Sequence, residues 1–149
     1  MITKDQQIKE VLSNSRNIAV VGCSSTPFKA AHEIPKFLQQ HGYKIIPVNP
    51  FSKEILGEKS YKSISEVKEK VDIVNIFRPS EEVLGIVKEA LKINTKSKDF
   101  ESQGNPEKPK VIWMQLGIEN KEAEKLAESH GIKVVMNKCM MVEWNRLMK

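Results

Sequence analysis

The run Ile18-Ala19-Val20-Val21 stops at Gly22, and its four consecutive apolar side chains leave it no polar face. A strand built from such a run must be covered on both sides, which points to the interior of a parallel sheet. Val71–Ile76, Val111–Met114 and Ile132–Met136 read as further strands, and Tyr43–Val48, halted by Asn49-Pro50, adds a fifth. Between them lie stretches with the helical period. Ile8, Val11 and Leu12 predict a short helix over 5–13, and Ala30, Ala31, Ile34, Phe37 and Leu38 predict one closed by Gly42. Val83, Leu84, Val87 and Leu91 mark a helix after Pro79, and a short helical patch falls near 65–69. Asn120 is placed to cap a helix carrying Ala123, Leu126 and Ala127, ended by Gly131. Met140, Met141, Trp144, Leu147 and Met148 predict a docked last helix.

Strands that alternate with helices imply a parallel sheet between two helical layers, joined by right-handed crossovers. The fold class is α/β: a Rossmann-like three-layer sandwich with a five-stranded parallel sheet. The expected strand order is 3-2-1-4-5, although a flavodoxin-like order fits the same alternation. The length of 149 residues suits a single domain over 1–149. Within it, the polar stretch 94–109, with Gly104, Pro106 and Pro109, reads as an exposed loop insertion. Pro35 would break a helix interior, so the regular helix is expected to begin near Ala31 or later.

Bulk properties exclude several classes. No apolar run reaches the ~18 residues of a membrane span, and the first residues, Met1-Ile2-Thr3-Lys4-Asp5, do not resemble a signal peptide. Two cysteines are too few for a disulfide scaffold, so the cytoplasm is the expected location. The net charge of +5 comes from scattered lysines, with no basic run interleaved with aromatics, so no nucleic-acid partner is expected.

In an open parallel sheet, ligands sit outside the carboxyl ends of the strands. After the first strand comes Gly22-Cys23-Ser24-Ser25-Thr26-Pro27-Phe28-Lys29, a small-residue loop that opens a helix. Its amides and hydroxyls, the helix N-terminus and Lys29 suit a diphosphate or another anion. The loop meets the G-x-G-x-x-G dinucleotide fingerprint only at Gly22, because Ser24 and Pro27 hold the other glycine positions. The second strand ends at Val48-Asn49-Pro50 without the carboxylate that would grip a ribose, so both features count against NAD. Phe77-Arg78 could cover an adenine and pair with phosphate, or could be core and solvated surface respectively. Gln115 and Gly117 bring an amide and an unhindered backbone to the same rim.

These exits resemble the small bacterial and archaeal CoA-binding proteins of the type found as the N-terminal domain of the succinyl-CoA synthetase alpha subunit. The segments that carry the resemblance run in order over about 16–148. The first is Val20-Val21-Gly22-Cys23-Ser24 with Pro27 and Lys29, then Gly42-Tyr43 with Pro47-Val48-Asn49-Pro50, then Ile55-Leu56-Gly57 with Tyr61. Val71-Asp72 with Phe77-Arg78, Trp113 to Gly117, and Val134-Val135-Met136 with Cys139 and Glu143 complete it. The resemblance implies that the ligand is coenzyme A or an acyl-CoA, that the first loop holds its diphosphate, and that Lys29 meets phosphate. It also places Phe77 and Arg78 beside the nucleotide. The chain departs from the family at Ala31, where a serine is common, and at Asn137-Lys138, where Asp-Arg is usual. His32, His41 and His130 do not match the phosphorylated histidine of the ligase, whose reaction is not expected here.

No nucleophile, base and orienting partner form one set, so binding is expected rather than catalysis, with no catalytic residue and no metal site. Cys23, at a loop that approaches a helix, reads as a small residue filling a tight turn rather than a thiolate. Cys139 reads as a small buried hydrophobe, and Glu33 and Glu143 as solvated or capping acids. The expected state is a monomer or small homo-oligomer that carries or senses CoA. The alternative is an NAD(P)-dependent oxidoreductase on the same fold.

Overall fold

The computed structural model describes residues 1–93 and 108–149. The predicted loop 94–109 therefore lies outside the described residues except for its last two, Lys108 and Pro109. In chain order the elements begin with α1 (Asp5–Asn14), β1 (Asn17–Val21), α2 (Ala30–Gln40) and β2 (Lys44–Val48). A small hairpin of β3 (Glu54–Ile55) and β4 (Glu58–Lys59) and a 3-10 turn (Ile64–Glu66) come next. Then come β5 (Ile73–Ile76), a 3-10 turn (Ser80–Glu82), α3 (Val83–Ala90), β6 (Val111–Met114), α4 (Lys121–Ser129), β7 (Lys133–Val135) and α5 (Met140–Leu147). The patch predicted near 65–69 is thus only one tight turn, and the β3–β4 hairpin had no sequence signal.

The sheet is five-stranded and parallel, in the order β2-β1-β5-β6-β7. In the numbering of the five predicted strands this is 2-1-3-4-5, which corrects the expected 3-2-1-4-5. Pro47 supplies the physical reason. A proline cannot donate to a ladder, so within sheets it is confined to edges, strand starts and bulges. The Pro47 carbonyl accepts from the Tyr61 amide at 3.0 Å on the side away from β1, and the missing N–H would face that side too. A third strand laid against that edge would find a gap in its hydrogen bonds.

Two apolar layers cover the sheet. On one face Val83, Val87, Ala123 and Ala127 of α3 and α4 pack on Ala19, Ile46, Val74 and Ile112. On the other, Ile8, Leu12, Ile34, Leu38 and Met140 of α1, α2 and α5 pack on Ile18, Val20, Ile45, Ile73 and Trp113. Trp113 is fully buried and donates its indole N–H to the Lys138 carbonyl at 2.8 Å. The amino end of the sheet is pinned by Asp72, whose carboxylate accepts from the amides of Arg16 and Asn17 at 2.9 Å each. Asn120 caps α4 as expected, accepting from the Ala123 amide at 2.9 Å, an interaction worth about 1 kcal/mol.

Helix α2 begins at Ala30 and contains Pro35, one residue earlier than the limit the proline was expected to set. Residue 35 has no N–H for the Ala31 carbonyl. That carbonyl instead accepts from the Ser24 amide at 2.9 Å. The defect inside the helix thus becomes the bond that ties the preceding loop to it.

Candidate functional site

The carboxyl ends of β1 and β2 open into a cleft of about 470 Å³, within the ~300–1,000 Å³ of small-molecule sites. One wall is the loop after β1. Gly22, Cys23, Ser24 and Lys29 line it, with Ala31 from the first turn of α2. Gly22 takes φ +88°, and a Cβ there would lie 3.0 Å from Arg78 Cδ and 3.2 Å from the Phe77 carbonyl oxygen. Only glycine combines that backbone with so close an approach.

Several loop amides are already engaged within the protein. Gly22 donates to the Val48 carbonyl, Ser24 to Ala31, Thr26 to the Ser24 hydroxyl at 3.0 Å and Phe28 to a Glu33 carboxylate oxygen at 3.3 Å. The part of this wall whose donors have no partner within the protein is therefore narrower than the sequence implies. It comprises the opening of α2 and Lys29, which sits at the N-cap without making a side-chain cap bond. The first amides of a helix have no partner inside it. Glu33, read as a solvated or capping acid, is a half-exposed acceptor for this loop.

Asn49 and Pro50 form the next stretch of wall, with Phe51 beyond them. Asn49 holds the tip in place: its amide nitrogen donates to the Cys23 carbonyl at 2.8 Å, and its side-chain oxygen accepts from the Phe51 amide at 2.8 Å. Phe51 itself is 94% exposed. Lys62, Ser63 and Ile64 also line the cleft. They are brought there by a parallel bridge between Tyr61 and Val48, closed by the Asn49 amide donating to the Tyr61 carbonyl at 2.9 Å. Arg78, Glu82, Ile86 and Glu89 complete the lining. Arg78 is bound bidentately by Glu82, with its Nε at 3.1 Å and a terminal nitrogen at 2.8 Å.

Gly22, Cys23, Ser24, Lys29, Asn49, Pro50 and Arg78 are thus brought together on one cleft. Ser25, Thr26 and Pro27 are exposed on the lip of the loop and do not line it. Phe77 is half-buried against the α1–α2–α5 layer. Gln115 is buried and donates to the Asn75 side chain at 2.8 Å, and the Gly117 amide donates to the Asn137 side chain at 2.6 Å. Neither lines the cleft. Phe51, the 62–64 segment and the α3 residues were not found from the sequence. Tyr61, an aromatic in a polar stretch, was the available signal for the segment that follows it.

Cys23 is fully buried, and desolvation pushes its thiol up to about 12. The thiolate suggested by the approaching helix is therefore disfavoured, which agrees with the reading of a small residue in a tight turn. Cys139 is half-buried at the N-cap of α5, so it is less enclosed than expected. Glu143 corrects its expectation as a solvated acid. It is buried and accepts from Arg146 at 3.0 and 3.2 Å, an arrangement that spares a buried carboxylate from being unpaired. Among the described residues, no group of three or more His, Cys, Asp or Glu side chains could hold a metal ion. No helix among them is long and apolar enough to cross a membrane.

The parallel sheet with a cleft at its carboxyl rim places the chain in the Rossmann-like class of α/β domains. The CoA binding domain family matches residues 16–145, and the chain belongs to that family. It is 38% identical over 136 residues to the uncharacterized protein YneT of Bacillus subtilis, covering 91% of this chain and 90% of that one. It is 30% identical over 142 residues to an ADP-forming acetate–CoA ligase of Methanocaldococcus jannaschii, covering 92% of this chain but only 18% of the ligase. Among solved structures, a Pyrococcus horikoshii hypothetical protein superposes with a TM-score of 0.84 at 34% identity, covering 99% of this chain and 94% of that one. A redesigned binding protein, Prb, superposes with a TM-score of 0.86 at 32% identity, covering 99% and 94%.

Proposed function

We propose that residues 1–149 act as a single CoA-binding domain that holds coenzyme A or an acyl-CoA in the cleft beyond β1 and β2. The diphosphate lies against the opening of α2 and Lys29. The protein serves as a carrier, sensor or regulatory module in the cytoplasm, without catalysing a reaction of its own. The observation that carries the reading is the uncapped first turn of α2 beside Lys29 on a cleft of nucleotide size. Membership of the CoA binding domain family supports the choice of ligand. The wall at the tip of β2 supports it against NAD(P), because Asn49 stands where a ribose-gripping carboxylate would be and its amide is committed to the loop.

A thermal-shift panel tests this. A ligand that binds only the native state stabilises it by RT ln(1 + [L]/Kd), or about 2.7 kcal/mol at 100 Kd. The melting temperature rises with CoA, less with dephospho-CoA or ADP, and little with NAD. A large rise with NAD and none with CoA would instead establish the oxidoreductase alternative. Native mass spectrometry of the purified protein identifies any acyl group retained.

A further inference from the structure

We infer that Lys62, with the Ser63 hydroxyl, recognises a second, separate phosphate of the ligand: the phosphomonoester on the ribose. This rests on the reading of the cleft as a CoA site. The cleft presents three cationic side chains, Lys29, Lys62 and Arg78, and two carboxylates, Glu82 and Glu89. They are not equivalent. Arg78 is neutralised by its bidentate pair with Glu82, and Glu89 adds negative charge on the α3 wall. Lys29 belongs to the wall formed by the loop and α2. Lys62 comes from a different wall, and among the described residues no carboxylate is within ion-pair distance of it.

The backbone carrying Lys62 is held firmly. The Tyr61 amide donates to Pro47 at 3.0 Å, the Asn49 amide to Tyr61 at 2.9 Å and the Ser60 hydroxyl to the Asn49 carbonyl at 3.2 Å. Tyr61 is itself buried, with its hydroxyl on Glu69 at 3.2 Å. The next residue, Lys62, is therefore carried on a backbone fixed beside the tip of β2. Ser63, the following residue, also lines the cleft and shares a 3.0 Å hydrogen bond between hydroxyls with Ser65. An ammonium and a hydroxyl from successive residues on one cleft suit a terminal phosphate of about −1.5 to −2 charge at neutral pH. Two separate segments, the opening of α2 and the stretch after β4, thus each bring to one cleft a lysine without a carboxylate partner among the described residues, which fits a ligand with a diphosphate at one place and a monoester at another.

The test measures dissociation constants by titration calorimetry for CoA and for 3′-dephospho-CoA, which differ only in that monoester. The unmodified protein is expected to prefer CoA at least about tenfold, the size of a charge-assisted contact. Lys62→Met is expected to weaken CoA by about that factor and leave dephospho-CoA unchanged, so the ratio falls to near one. Lys29→Met is expected to weaken both ligands equally and keep the ratio. Melting temperatures confirm that each variant is folded. The inference is overturned if Lys62→Met weakens both ligands alike, or neither. If the unmodified protein prefers dephospho-CoA or binds both equally, the monoester site is wrong while the CoA reading stands. If it binds neither, the CoA reading fails, and the monoester site with it.

Discussion

The tips of β1 and β2 and the tips of β6 and β7 share one rim of the sheet, yet they differ in whether charged groups are left without a protein partner. At the first pair, Lys29 and Lys62 line a cleft without a carboxylate partner among the described residues. At the second, Gln115 is closed onto Asn75 and Gly117 onto Asn137, so the donors are consumed inside the protein. A polar group satisfied by its neighbours contributes to stability, whereas one left facing a cleft is free to act on a ligand. Position at the carboxyl rim is therefore not enough to identify a binding residue.

The strongest challenge to this contrast is Lys29→Glu. Reversing the charge beside a diphosphate should weaken CoA by at least about 100-fold, measured by calorimetry, while the melting temperature without ligand stays within a few degrees. A variant that binds normally would remove the β1 loop from the site. Next in size is Gln115→Ala, which strips Asn75 of its hydrogen-bond partner in a residue that is fully buried. Urea unfolding should show a loss of about 1–3 kcal/mol, with the CoA dissociation constant unchanged. If binding falls instead, the two ends of the rim are not functionally distinct.

A smaller effect of opposite sign is expected from Glu82→Gln. Removing the carboxylate that neutralises Arg78 should tighten CoA by about threefold, with a steeper loss on adding salt. The smallest effect at neutral pH concerns Cys23, whose burial raises its thiol to about 12. A raised folded-state value contributes stability that is present below the unfolded value of about 8.5 and lost as pH climbs toward the folded one. Between pH 9 and 12 the unmodified protein should therefore lose melting temperature faster than Cys23→Ala. Parallel profiles would mean that Cys23 ionises freely.

The alternation of apolar runs and helical periods made the layers legible, and five strands and five helices fall where those patterns predict. The position of the loop after β1 was legible as well, and Gly22, Cys23, Ser24 and Lys29 do line the cleft, although Ser25, Thr26 and Pro27 do not. The strand order was misread although Pro47 carried the answer: a central strand cannot spare that hydrogen bond. The far wall of the cleft was hidden for another reason. Lys62 and Ser63 reach it only because Tyr61 pairs with Val48, thirteen positions earlier in the chain, and no local period records such a bridge. Pro35 was read as a constraint on where α2 starts. Its effect is instead to release the Ala31 carbonyl to Ser24, a tertiary bond invisible to helical patterning.

The pairing of Tyr61 with β2 has a counterpart at the opposite margin, where the Ile2 amide donates to the Val134 carbonyl at 2.7 Å. Bare strand margins invite polymerisation by recruiting further chains. Here one margin is occupied by an aromatic residue and broken by an imino acid, and the other is shielded by the leading residues of the chain. Copies that associate would therefore meet through their helices or loops, and the β-structure would end with each molecule.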